Sequence, residues 1–178
     1  MPEHGNPLQT LAELLQSGEA RPVVSLSRLA PSAFYDLQYR TTVIACAFEI
    51  HAKTWAVNQR RIGSARLKLL QFVACRPWLL DSVREWSTAA SDAQRSFLPS
   101  QRTRRGFISD TVHDNVLGFL TAGGVLTRAG SDVATGEKGN LLRTLFSTIV
   151  EMEAFSTERR VLENLRGIKI TTSMLEGW

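Results

Sequence analysis

The chain has 178 residues, of which 43% are hydrophobic and 21% are charged, and its formal net charge is +4. These values are ordinary for a soluble globular protein, and the length allows one sizeable core or a core with a small appended module. Because the chain has no N-terminal secretion signal and no apolar run of the roughly 20 residues that a membrane span needs, the sequence predicts a cytoplasmic protein.

The reactive side chains form no recognisable catalytic or metal-binding motif. Cys46 and Cys75 lie within apolar helical patterns, which predicts buried, reduced thiols. His4, His51 and His113 are scattered, so we expect no metal site, and we expect His51 to be packed or solvated. The phosphate-binding, nucleophile-elbow and zinc-protease patterns are all missing. The sequence therefore predicts a protein that is not an enzyme and needs no cofactor.

Residues 1–60 are interpreted as an N-terminal helical region. Leucines at helical spacing predict a short helix over 8–15. A long helix is expected to begin at a Ser32 cap and to run to about Gln59. The residues expected on its buried stripe are Leu37, Thr41, Ile44, Ala45, Phe48, Ala52 and Trp55.

The middle of the chain alternates apolar helices with a polar, basic segment. Ser64 can cap a helix that Pro77 ends or kinks, and this helix is predicted to be buried because it is nearly all apolar through Leu67, Leu69, Leu70, Phe72 and Val73. Pro77 also predicts the start of a new helix, from Trp78 to about Ala89. Residues 87–106 have few apolar anchors and are interpreted as the longest loop. The densest basic cluster of the protein, Arg102-Thr103-Arg104-Arg105, lies at the end of this segment.

Residues 110–139 carry the most informative pattern. A helix over 111–121 is stopped by Gly123-Gly124, and two short strands, 125–127 and 132–135, flank a turn in which Gly130 supplies a positive φ. Thr135 to Gly139 is interpreted as a strand-to-helix turn and not as a phosphate loop, because no Ser or Thr follows the lysine. The order of elements is typical of a winged helix.

The predicted fold is mostly α with a small β-hairpin wing. It consists of the N-terminal helical region, a winged-helix-like domain over 61–155, and a C-terminal helix and tail over 156–178. In a winged helix the helix before the hairpin often contacts nucleic acid or a partner protein. The fold therefore predicts binding more clearly than it predicts chemistry.

DNA is the first candidate partner of the predicted winged helix. The helix over 111–121 contains no Arg or Lys, carries Asp114, and offers only His113 and Asn115 as readers of base edges. Sequence-specific readout is therefore not expected. Non-specific contact with the DNA backbone would fall to four side chains, Arg102, Arg104, Arg105 and Arg128.

The charge is unevenly distributed along the chain. Residues 61–110 contain nine basic and four acidic side chains, a net charge of +5, whereas the segments on either side are close to neutral. Two interpretations remain open: a local anionic partner, and a solvated loop rich in arginine.

Protein binding is the other candidate mode. Trp78, Trp86 and Trp178 are the aromatic side chains that we would expect at an interface. The alternative is that they fill the core of the chain itself.

Two stretches carry a resemblance to a known family: residues 61–80, an arginine- and leucine-rich helix that ends in Arg76-Pro77-Trp78, and the winged segment that ends in Thr135-Gly136-Glu137-Lys138-Gly139. Together they resemble the middle components of bacterial three-component ABC ATPase systems, a group that includes Lamassu-type defence systems. The resemblance covers roughly residues 35–166. It implies a small winged-helix protein that accompanies an SMC-like ATPase and an effector, often a nuclease.

The leading hypothesis is a non-enzymatic adaptor subunit in defence against phage or plasmids. It would link the SMC-like ATPase to the effector, with non-specific contact to double-stranded DNA. The alternative hypothesis is a winged-helix transcription regulator that binds DNA as a dimer.

Overall fold

The computed structural model describes residues 36–56, 59–89 and 100–170 together with Leu175. The expected helix over 8–15, the Ser32 cap and Trp178 lie outside the described residues. Within the described ranges the chain is mostly helical and has a four-stranded antiparallel sheet. The helices are α1 Leu37–His51, α2 Ser64–Ala74, α3 Leu80–Thr88, α4 Gln101–Ile108, α5 Thr111–Ala122, α6 Asn140–Glu151 and α7 Ser156–Leu165. The strands are β1 Lys53–Ala56, β2 Gln59–Gly63, β3 Leu126–Ala129 and β4 Asp132–Thr135.

Helix α1 is the central helix of the described structure. Its N-terminus is capped by Asp36, whose carboxylate accepts a hydrogen bond from the backbone N–H of Tyr39 at 2.9 Å. Ten consecutive residues, 39–48, are buried. They are covered from several sides because α1 packs against α2, α5, α6 and α7. The predicted burial of Thr41, Ile44, Ala45 and Phe48 is confirmed, whereas Leu37 is exposed. The buried surface is wider than the predicted stripe, since nearly the whole circumference of this helix is core.

The predicted end of α1 near Gln59 was also wrong. The helix ends at His51, and Ala52 has an extended backbone with ψ of 138°. The next residues form β1 and β2, an antiparallel pair in which Lys53 lies opposite Arg61. Thr54 and Trp55 favour strands because branched and aromatic side chains suit a pleated surface. Residues 53–56 continue the helical spacing of apolar positions, but they form a strand because they pair with β2.

The predicted hairpin after α5 is confirmed and belongs to a larger sheet. Gly124 and Gly130 have φ of +73° and +65°, so glycine ends α5 and closes the turn between β3 and β4. The strands run over 126–129 and 132–135, and the sheet order is β1-β2-β4-β3. Strand β2 joins the hairpin by pairing with β4, with Ile62 opposite Val133.

The prediction of a loop over 87–106 was wrong for its last part. Residues 101–108 form α4, which is capped by Ser100 and contains the basic cluster. Phe107 anchors α4 on α2 by packing edge-to-face against Phe72, with ring centroids 5.4 Å apart. Residues 90–99 lie outside the described ranges. Phe107 is thus the buried aromatic side chain among the described residues of a helix that is otherwise strongly polar.

A single hydrophobic core joins the elements. It contains side chains from α1, α2, α3, α5, α6 and α7, and from the sheet it takes Ile62, Leu126 and Val133. The predicted helix after Ser64, the helices over 78–89 and 111–121, and the C-terminal helix that begins at Ser156 are confirmed to within a few residues. A short 3-10 helix, Pro77–Leu79, makes the first turn of the segment that continues as α3. The core thereby fixes α5 and the sheet relative to α1.

Candidate functional site

Helix α5 presents a small and nearly uncharged outer face. Its inner side is buried through His113, Val116, Leu117 and Leu120. The exposed residues are Thr111, Asp114, Asn115, Gly118, Thr121 and Ala122. The one charged side chain among them, Asp114, lies 3.7 Å from the Nζ of Lys68. The face thus contributes no basic side chain of its own.

The turn between β4 and α6 is built from internal hydrogen bonds. The backbone N–H of Gly136 donates to the carbonyl of Val125, and the N–H of Lys138 donates to the carbonyl of Gly124, each at 2.9 Å. The N–H of Gly139 donates to Gly136 at 3.0 Å. Because these amides are already occupied, they are not free to cradle a phosphate. The interpretation as a strand-to-helix turn is confirmed.

The four cations predicted to contact DNA are divided between two elements. Arg102, Arg104 and Arg105 lie on α4, which packs against α2, whereas Arg128 lies on β3, which packs against β4 and α5. Arg105 and Arg128 are exposed, Arg104 is half-buried, and the side chain of Arg102 lies outside the described atoms. The two elements thus have different packing partners.

The tryptophans predicted at an interface have different environments. Trp78, on the 3-10 helix, is 65% exposed, whereas Trp86 on α3 is 1% exposed and belongs to the core. For Trp86 the sequence left two interpretations open, and its burial matches the one in which it fills the chain's own core. Trp86 is therefore a core residue and does not lie at a surface. Trp178 lies outside the described residues.

A buried polar network, which the sequence analysis missed, holds α5 in place. Arg40 of α1 donates from Nη2 to both carboxylate oxygens of Asp110, at 2.8 and 3.0 Å. Asp110 also caps α5 by accepting a hydrogen bond from the backbone N–H of His113 at 3.4 Å. Gln71 of α2 donates to the carbonyl of Arg40 at 3.2 Å. The network therefore ties α5 to both α1 and α2.

His113 closes this network with its ring. Its Nδ1 lies 2.5 Å from Oε1 of Gln71, and since that oxygen can only accept, Nδ1 donates. The second ring nitrogen, Nε2, is buried and has no hydrogen-bond partner. Burial lowers the pKa of His113 to about 4, which keeps the ring neutral near pH 7. This histidine, proposed as a reader of bases, is a structural residue.

The neutral His113 predicts a pH-dependent stability. Its pKa is about 4 in the folded state and near 6.5 in the unfolded chain. The unfolded state therefore binds more protons between these values, and the stabilisation present above pH 6.5 is lost as the pH falls through 4. We expect this residue to reduce the free energy of unfolding by up to about 3 kcal/mol across that window. Urea titrations at several pH values measure how the free energy of unfolding changes with pH.

His51 strengthens the dependence of the free energy of unfolding on pH, and Glu158 opposes it. Burial lowers the pKa of His51 to about 4, and its Nε2 lies 2.8 Å from the Leu162 carbonyl. Burial raises the pKa of Glu158 to about 6, so its contribution improves as the pH falls. His113→Asn, which keeps a donor for Gln71, should flatten the dependence. An unchanged slope in that variant would contradict the assignment.

A second feature that the sequence analysis missed is an open cleft of about 640 Å³ at the β1–β2 end of the sheet. Its basic side chains come from β1, β2, the first turn of α2, and the segment that follows α7. They are Lys53, Arg61, Arg66, Arg166 and Lys169. The acidic side chain among the described residues that line it is Asp132. We call this region the basic cleft.

The described part of the chain contains no group of three or more His, Cys, Asp or Glu side chains placed to hold a metal ion. Cys46 and Cys75 are buried thiols, and burial raises their pKa to about 12 and about 11. Within the described ranges, none of the helices combines the length and the apolarity that a bilayer crossing requires.

Comparison with models of protein families, with curated proteins and with solved structures finds no match to this chain.

Proposed function

We propose that α5 and the sheet form a winged-helix module. In this assignment α5 is the helix that precedes the wing, and the β3–β4 hairpin is the wing. Two observations support it: β2 adds to the hairpin in the order β2-β4-β3, and α4 precedes α5 with only Ser109 and Asp110 between them. Such a module presents its second helix to a binding partner.

We further propose that the protein is a non-enzymatic adaptor that assembles with an SMC-like ATPase and an effector such as a nuclease, in defence against phage or plasmids. This proposal rests on the character of the outer face of α5. It is exposed, it is built from small side chains, and it has no cation of its own. The resemblance of residues 61–80 and 135–139 to middle components of three-component ABC ATPase systems names the partners.

The composition of this face favours a protein partner over DNA. A helix in the major groove needs donors for base edges and positive charge beside the phosphates. On the described α5 face Asn115 is the remaining reader, since His113 is buried, and Asp114 would be repelled by phosphate. Small side chains such as Gly118 and Ala122 instead let a partner's backbone approach closely.

The buried network supports the same conclusion. Because Arg40 and Asp110 hold the first turn of α5 from inside, the outer face is presented in one orientation. A face that is already ordered loses little conformational entropy when it binds. The alternative of a transcription regulator would need further base-reading groups from outside this face.

Gly118 offers a test of the docking face. A Cβ atom added there would meet no atom within 4 Å, the position is exposed, and arginine forms helices better than glycine, so Gly118→Arg should leave the fold intact. We expect the wild-type chain, co-expressed with the ATPase and the effector, to co-purify with the ATPase. The variant should reduce recovery by about 10-fold or more, as expected for a clash at the centre of an interface.

Ser147→Arg, at an exposed position on α6, is the matched control and should retain full recovery. A mobility-shift titration with the isolated chain tests the alternative function. Failure of the wild-type chain to recover the ATPase would overturn the adaptor proposal. Preference for one palindromic DNA site that persists at raised salt would favour the regulator.

A further inference from the structure

The basic cleft gathers cations that are distant in sequence. Lys53 projects from β1 and Arg61 from β2, Arg66 belongs to the first turn of α2, and Arg166 and Lys169 follow α7. Lys53, Arg166 and Lys169 are exposed, whereas Arg61 and Arg66 are half-buried. The cleft therefore has a basic floor and a basic rim.

The pairing of β1 with β2 places two of these cations face to face. Lys53 lies directly opposite Arg61, so both side chains emerge on the same side of the sheet. Like charges at opposite positions of neighbouring strands repel each other and weaken the pairing. Arg61 is partly compensated by Asp132, whose Oδ2 lies 3.3 Å from Nε of Arg61. That carboxylate leaves a clear excess of positive charge.

Arg66 has no carboxylate of the described residues within ion-pair distance. Its side chain is half-buried, and burial lowers its pKa. A guanidinium that is partly removed from water is stabilised by an anion that accepts its hydrogen bonds. The neighbouring His51 does not supply one, because it is neutral and its Nε2 lies 2.8 Å from the Leu162 carbonyl.

We propose that the basic cleft binds the phosphodiester backbone of nucleic acid. Guanidinium and ammonium groups on a rim and a floor match a chain of regularly spaced phosphates, and each cation that neutralises a phosphate releases a counterion. Contacts from Lys and Arg side chains to phosphate carry no sequence information, so the contact is independent of sequence. The residues differ from Arg102, Arg104, Arg105 and Arg128, which the sequence singled out.

This inference goes beyond the adaptor role and concerns another edge of the molecule. The cleft lies at the β1–β2 side of the sheet, whereas α5 packs on β3 at the opposite edge. Nucleic acid in the cleft would therefore leave the outer face of α5 free for a protein. Either proposal can fail without the other.

The test is a titration of the full chain against a labelled duplex of about 20 base pairs at about 50 mM salt, with fluorescence anisotropy as the readout. Lys53→Glu/Lys169→Glu changes two exposed side chains, and the new glutamate lies opposite Arg61, so the fold should be preserved. We expect the affinity to fall by about 10-fold or more. The slope of log affinity against log salt concentration should be smaller in magnitude by about 2. Arg66→Gln should lower the affinity with a change of only one charge.

Lys138→Glu/Arg143→Glu is the matched control, because it changes the net charge equally at exposed positions outside the cleft. It should stay within about 3-fold of the wild-type affinity, since remote charges are screened at this salt concentration. An equal loss in the control would overturn the proposal, as would absence of binding by the wild-type chain. Circular dichroism spectra serve to check that each variant is folded.

Competitors identify the anion. Single-stranded and duplex DNA and RNA of the same length should all displace the probe, because they share the phosphodiester backbone. Displacement by inorganic triphosphate at equal phosphate concentration would instead indicate a small-anion site and overturn the proposal. Displacement by polyglutamate at matched charge would do the same in favour of an acidic protein segment. The cleft variant should still recover the ATPase, and losing it would place the cleft within the protein interface.

Discussion

Replacing Asp110 by serine is expected to lower the free energy of unfolding by about 3–5 kcal/mol, because it leaves the guanidinium of Arg40 buried without its counter-charge. Arg40 is 1% exposed and lies within the core. Serine can still cap α5, so the substitution separates the lost charge from the lost cap. Urea unfolding followed by circular dichroism at pH 7 measures the change.

The double variant Arg40→Met/Asp110→Ser provides the control for this expectation. Removing both charges eliminates the uncompensated ion, and methionine fills most of the volume that arginine leaves. We expect the double variant to lie within about 2 kcal/mol of the wild-type chain and well above the single variant. If the double variant were as unstable as Asp110→Ser, the buried charge would not be the cause.

Two glycine-to-alanine substitutions should have opposite effects. At Gly136 a Cβ atom would overlap the carbonyl of Gly124, a backbone group that is held by the hydrogen bond from Lys138. Gly136→Ala must therefore shift the turn that connects β4 to α6. We expect it to lower the free energy of unfolding by about 2–4 kcal/mol, the range of overpacked positions.

Gly118 is the matched position, since a Cβ there meets no atom within 4 Å. Gly118→Ala should raise the free energy of unfolding by up to about 1 kcal/mol, because glycine disfavours the interior of a helix. The same urea titrations measure both variants. A stable Gly136→Ala variant, or a destabilised Gly118→Ala variant, would show that the packing at these glycines differs from that described.

Elements with local start and stop signals could be predicted from the sequence. Helix α5 begins at the Asp110 cap and ends at Gly123-Gly124, and Gly130 closes the hairpin. These signals act over a few residues, so they can be recognised in the sequence without knowledge of the tertiary structure. The turn at 136–139 belongs to the same group.

The strands β1 and β2 could not be predicted in this way, because no glycine or proline separates α1 from β1. The apolar positions continue at helical spacing through Ala52 and Trp55. What ends the helix is the pairing of β2 with β4, about 70 residues away in the chain, as in Arg61 opposite Ala134. Long-range pairing of this kind overrides a local period.

The basic cleft was missed for a related reason. Its cations occupy positions 53, 61, 66, 166 and 169, so no window of the sequence contains them all. Counting charges along the chain favoured the dense cluster at 102–105, which forms part of α4. For the buried network one signal was available: Arg40, in the first turn of α1, directly precedes the apolar and small residues 41–48. A charge at such a position indicates a buried partner.

Hydrogen–deuterium exchange tests the docking surface most directly, by comparing the chain alone with the chain in complex with the SMC-like ATPase. We expect binding to slow amide exchange over residues 111–122, because the outer face of α5 is the proposed docking face. Exchange at β1 and at the residues after α7 should be unchanged. A complex in which 111–122 exchanges as it does in the free chain would contradict the account.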